Sequence, residues 1–85
     1  MKPTNFVIEF GQRVRAARET MGISQEALAV RAGLHRTEIT HIERATRSST
    51  LNTIEKLATA LEIHPRDLIP ELQSDSPKKR RPTTS

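Results

Sequence analysis

The spacing Leu28, Ala29, Ala32, Gly33, Leu34, Ile39, Ile42 constrains this 85-residue chain more than any other feature in it. Ala27, Leu28 and Ala32 give a short helix an inner side, and Gly33 stops it after barely two turns. A second short helix follows at once, with Ile39 and Ile42 as its buried stripe and Leu34 packing from the turn. Two helices joined by so tight a turn cross steeply only when the residues between them are small. Ala29 is where a larger side chain would force them apart.

The flanking sequence extends this pair into an all-helical chain. Thr4 or Asn5 caps a first helix whose Phe6, Phe10, Val14, Ala17 and Met21 share one face, and Gly22 is placed to end it. Ser24 caps the second helix, whose Gln25, Glu26 and Arg31 point outward. After the polar stretch ATRSS, Thr50 caps a helix carrying Leu51, Ile54, Leu57, Ala58 and Leu61 inward. Pro65 suits the first position of a last short helix, and Pro70 ends it near Ile69. The expectation is a compact all-α domain over residues 1–73, with five helices at about 5–21, 25–32, 36–44, 51–61 and 65–69. Residues 74–85, with no aliphatic or aromatic side chain to bury, are expected to form a disordered basic tail.

Composition narrows the function. A chain this short has a thin core, so a partner subunit would be unsurprising. Cysteine is absent, which excludes disulfides and thiolate metal sites and fits a reducing cytoplasm. There is no apolar run long enough for a membrane span and no leader, so a soluble, unprocessed protein is expected. Four of the 14 Lys and Arg and one of the ten acids lie in Ser74–Ser85. The tail therefore holds three of the four net positive charges, and the body only about one. Any nucleic-acid reading must rest on where the body's cations stand. With Phe6 and Phe10 as the only aromatic residues, modules that stack single-stranded bases on exposed rings are disfavoured. His35, His41 and His64 lie on separate caps and faces, with no carboxylate or thiol at metal or triad spacing. No enzyme activity, metal, cofactor or small-molecule ligand is expected.

The seven-residue spacing is the pattern of a DNA-binding helix-turn-helix, formed by the second and third helices. Arg18, SQEALAVRAGL (24–34), IER (42–44) and TLNTIEKLATALEI (50–63) resemble the λ-repressor/Cro-like (XRE-type) regulators. LHRTEITHIER (34–44) is also similar to the small controller proteins of restriction-modification systems. The resemblance covers about Phe10 to Ile69 and implies a λ-repressor-like fold.

The resemblance also assigns roles. Gln25 matches a glutamine that bonds a DNA phosphate, the alternative being that it merely caps its own helix. Arg36, Thr37, Thr40 and His41 match positions that meet base edges; Arg36 can bond guanine O6 and N7 bidentately. Glu38 either accepts from cytosine N4 or pairs with Arg31 or another surface cation. His35 stands where relatives carry a Ser, Thr, Asp or Asn cap, and is assigned to the DNA backbone. Arg44, Arg47, Asn52 and Thr53 are assigned to phosphates. Arg18 and Glu43 match a salt bridge tying the first helix to the third; otherwise they are unrelated surface charges. Ala45 replaces the glycine or asparagine that often ends the third helix, so the chain is expected to leave this helix differently from its relatives. Leu68, Ile69 and Leu72 either close the core or form a homodimer interface. Lys78–Pro82 reads as a solvated tail attracting phosphates, with nuclear import as the alternative.

These features imply a cytoplasmic regulator, nucleoid-associated when bound, that acts as a dimer on palindromic double-stranded DNA. The alternative is an antitoxin-type protein that binds a toxin as well as DNA.

Overall fold

The computed structural model describes residues 3–72; the tail assigned to 74–85, including Lys78–Pro82, lies outside them. In order, α1 spans Asn5–Met21, α2 Gln25–Ala32, α3 Arg36–Arg44 and α4 Leu51–Leu61, followed by a 3-10 turn at Pro65–Asp67. The four α-helices have the boundaries that the sequence indicates. The fifth helix expected over 65–69 is instead this short turn. Its bonds run three residues back, from Asp67, Leu68 and Ile69 to His64, Pro65 and Arg66. Pro70 has no N–H to prolong the run, so an α-helix has no room to form.

Capping fixes where each helix begins. The hydroxyls of Thr4, Ser24 and Thr50 accept from the N–H groups of Val7, Ala27 and Thr53 at 3.2, 3.0 and 3.1 Å. Each satisfies one backbone donor that the helix itself leaves open. At α3 the cap is His35, whose side chain makes no cap hydrogen bond. Glu38 compensates from inside the helix, its carboxylate accepting from the His35 N–H at 3.0 Å. An acid three residues after the cap also suits the positive end of the helix dipole. Replacing the usual cap residue therefore does not move the start of α3.

Gly22 and Gly33 end α1 and α2 in the left-handed conformation, at φ 77° and 69°. Ala45 ends α3 the same way at φ 59°, which corrects the expectation that alanine diverts the chain here. Thr46 N–H bonds back to the His41 carbonyl and Ala45 N–H to that of Ile42. The Ala45 methyl is buried, so packing and these two bonds offset the cost of the strained backbone, about 1–2 kcal/mol for a residue with a Cβ.

The core is built from Phe10, Val14, Leu28, Ile39, Ile42, Leu57, Leu61 and Leu68, with Ala29, Ala32, Ala58 and Ala60 between them. Leu28, Ile39, Leu57, Leu68 and Val14 are the largest side chains buried completely. Full burial of such a side chain is worth about 1.5–3 kcal/mol, against about 1 for an ordinary net hydrogen bond. Apolar packing therefore decides how α3 lies across the fold, and polar groups refine it. Leu51 departs from the expected stripe: it is 84% exposed. It lies six residues before Leu57, about 120° round the helix, on a first turn that overhangs the core.

One close contact escapes the apolar pattern. Gly11 is buried midway along α1, and a Cβ there would collide with the Ile42 carbonyl oxygen and sit 3.2 Å from that of Glu43. Glycine lets the backbone of α1 rest directly on the end of α3. Two residues on, and on the other side of α1, Arg13 ties the 3-10 turn to this helix. It pairs with Glu9 at 2.8 Å and donates to the carbonyls of Ile69 and Asp67 at 3.3 and 3.4 Å.

Candidate nucleic-acid interface

Three elements converge on the polar inner side of α3. Arg18 of α1 pairs with Glu43 of α3, Nε to Oε2 at 2.7 Å and Nη2 to Oε1 at 3.1 Å. Its Nη1 also donates to the Ile23 carbonyl at 2.9 Å. The two side chains are only 13% and 4% exposed, so they are a structural pair and not surface charges that happen to be near. The Glu43 hydrogen bond raises the Arg18 pKa above its already strongly basic value, and burial only partly opposes it. Arg18 thus stays charged, and the pair contributes wherever Glu43 is ionised and the pH lies below the ordinary arginine pKa.

Gln25 joins this pair from α2. Its Nε2 donates to Glu43 Oε1 at 3.0 Å, and its Oε1 accepts from the Thr40 hydroxyl at 3.2 Å. The Thr40 hydroxyl also lies 3.2 Å from the Arg36 carbonyl. A carboxylate only accepts, so the Gln25 amide is oriented without ambiguity and Thr40 must be the donor. This geometry revises two sequence expectations. Gln25 is half-buried rather than turned wholly outward, and it caps nothing. Thr40 faces α2, with its one hydroxyl proton used inside the protein. The second N–H of the Gln25 amide has no partner among the described residues.

The outer side of α3 is different. His35, Arg36, Thr37 and Arg44 are exposed, as are Arg47 in the following loop and Asn52 on α4. Arg36 is 3.3 Å from the Glu26 carboxylate of α2, with both side chains more than 60% exposed. Arg44 and Arg47 join none of the ion pairs among the described residues. His41 Nδ1 is 2.7 Å from the Thr46 hydroxyl, which fixes its ring on the α3–α4 loop. Glu38, His41, Arg47, Thr50 and Thr53 line one shallow hollow of about 190 Å³ where α3, the loop and the start of α4 meet.

Sequence reasoning missed several of these roles. Glu38 neither pairs with Arg31 nor stands free, because it holds the N-terminus of α3. Arg31 lies elsewhere, 3.8 Å from Glu62 and 3.5 Å from the Ala60 carbonyl. The signal for Glu38 was available as an acid three residues after a cap position. Gly11 was legible only as a glycine with no turn to explain it. Leu68 is completely buried, so it closes the core and has no surface to offer a partner subunit; Ile69 is half-buried and Leu72 is 82% exposed.

Two short helices in this crossing, the second presenting a free outer face, are the geometry of a helix-turn-helix. The HTH_3 helix-turn-helix family model matches residues 14–68. The chain belongs to this family. Control protein C.BamHI of Bacillus amyloliquefaciens is 47% identical over 66 residues, 76% of this chain and 82% of that protein. The crystal structure of the restriction-modification controller protein C.AhdI from Aeromonas hydrophila aligns with TM-score 0.73 and 48% identity, covering 74% of this chain and 96% of that one. The P22 c2 repressor, solved in complex with a synthetic operator, aligns with TM-score 0.67 and 30% identity, covering 71% of this chain and 91% of the repressor. The matched region of this HTH_3 domain thus includes α2, α3 and α4 entire, together with the Arg18–Glu43 pair. No described helix is long and apolar enough to cross a membrane.

Proposed function

We propose that this HTH_3 protein is a sequence-specific regulator of transcription that binds double-stranded DNA as a homodimer, with α3 in the major groove of a palindromic operator. The observation that carries the reading is the asymmetry of α3: its inner side is held by Ile39, Ile42 and the Glu43 network, while Arg36, Thr37 and Arg44 project unburied. Similarity to control proteins and to an operator-bound repressor supports it.

Arg36 is the principal base reader, since its fork matches guanine O6 and N7. Thr37 offers a methyl to thymine or a hydroxyl to phosphate. His41, at the hollow beside the loop, meets the base or phosphate that enters it, while Glu38, one oxygen of which holds the start of α3, has the other to accept from a cytosine N4 group. The second N–H of Gln25, beside the open N–H groups of α2, is placed for a phosphate. Arg44, Arg47, Asn52, Thr53 and His35 add backbone contacts. Thr40 acts mainly by holding Gln25. In a homodimer, Leu72 and Ile69 are the apolar residues available near the end of the fold, and a two-fold axis supplies the second reading helix. Such a protein works in the cytoplasm, and on the nucleoid when bound.

A duplex selected by the protein from a random pool tests this reading. Methylation protection should mark guanine N7 groups in two half-sites about one helical turn, roughly 34 Å, apart, and sedimentation should give two protein chains per duplex. Protection of a single half-site by one chain would refute the dimer. Selection that yields no consensus would refute sequence-specific binding.

A further inference from the structure

Base reading by α3 gives Glu26 no role. It is an acid in the first turn of α2, next to Gln25, on the side assigned to phosphates. There it repels the duplex. The helix dipole accounts for an acid in a first turn, but not for the ion pair it makes across to the neighbouring helix. Glu26 Oε2 stands 3.3 Å from Nε of Arg36, and the two side chains are 67% and 61% exposed. No packing holds them there, so the pair is one that the arginine can leave.

We infer that Glu26 is a specificity-determining residue: its carboxylate competes with DNA phosphates for the Arg36 guanidinium and yields it only to a guanine edge. This rests on Arg36 being a base reader. A phosphate oxygen and a carboxylate oxygen are similar anionic acceptors, so on a random sequence Arg36 gains little by exchanging Glu26 for the DNA backbone. Guanine offers two acceptors in the spacing of the guanidinium fork, which a single carboxylate oxygen at 3.3 Å does not match. Glu26 therefore weakens binding to every duplex by its charge, and weakens binding to wrong duplexes further by withholding Arg36. Discrimination is gained by penalising the competitor rather than by adding a contact to the correct site.

The test measures affinities of the full chain for a duplex selected by the wild-type protein and for a scrambled duplex of equal length, at one salt concentration. Glu26→Gln and Glu26→Ala should tighten binding to the scrambled duplex, while the selected duplex gains less. The ratio of the two affinities should fall about two- to five-fold, the range that an exposed ion pair supplies. In an Arg36→Ala background the same substitutions should shift both duplexes by one common factor. A ratio that is unchanged or raised by both Glu26 substitutions, with Arg36 present and the fold intact by thermal midpoint, overturns the inference. Arg36→Ala alone separates this from failure of the underlying reading: if it weakens both duplexes equally, Arg36 is no base reader. A ratio lost in Arg36→Ala but insensitive to Glu26 removes only the role of Glu26.

Discussion

The two sides of α3 differ in what fixes them. On the inner side the polar side chains are joined in definite senses: Arg18 donates to Glu43, Gln25 to Glu43, and Thr40 to Gln25. Gly11 brings the α1 backbone against the same end of the helix. On the outer side Thr37, Arg44 and Arg47 are exposed, and Arg36 has only the open pair with Glu26. A helix locked on one side and unoccupied on the other can carry changes of outer residue without changes of position. That separation allows one fold to serve many recognition sequences.

Substitutions on the two sides should therefore fail in different assays. The largest effect belongs to Glu43→Ala, which leaves the largely covered Arg18 without its carboxylate and frees Gln25. It should cost about 3–5 kcal/mol of stability in urea denaturation. A loss below 1 kcal/mol would mean that the network does not hold α3. Gly11→Ala should cost about 1–3 kcal/mol, because two backbones would have to separate; a neutral result would contradict the contact between α1 and α3. Arg36→Ala should leave the denaturation midpoint nearly unchanged, yet remove about 1–3 kcal/mol of discrimination between a selected and a scrambled duplex. The smallest effect runs the other way. Ala45→Gly should stabilise the protein by about 0.5–1 kcal/mol by relieving the left-handed backbone at φ 59°, and a destabilised variant would show that the buried methyl outweighs the strain.

The sequence discloses these two sides unequally. Hydrophobic spacing and capping residues placed all four α-helices, because burial and unsatisfied backbone groups at helix ends are local, periodic demands. The short turn at Pro65 reads as a helix from sequence, because its residues have helical spacing, but too little chain precedes Pro70. Leu68 shows the same limit, since an apolar residue near a terminus reads alike whether it closes the core or faces a partner. Side-chain partnerships across helices were legible only where a family pattern supplied them, as for Arg18 and Glu43. Those of Gln25 with Thr40 and of Glu26 with Arg36 depend on how α2 and α3 cross, which no spacing within one helix encodes. Glu38 is a local feature whose position three residues after the cap competes with its place on the outward face of α3, and the cap role prevails in the structure.

In the proposed function the exposed side of α3 reads bases while the network beneath it only positions the helix. The most direct measurement compares wild type and Arg36→Ala by the ratio of dissociation constants for scrambled and selected duplexes at fixed salt. This ratio should collapse by about one to two orders of magnitude, with affinity for the scrambled duplex almost unaltered. An equal loss on both duplexes would mean that Arg36 contacts only phosphate and that α3 does not read bases through it.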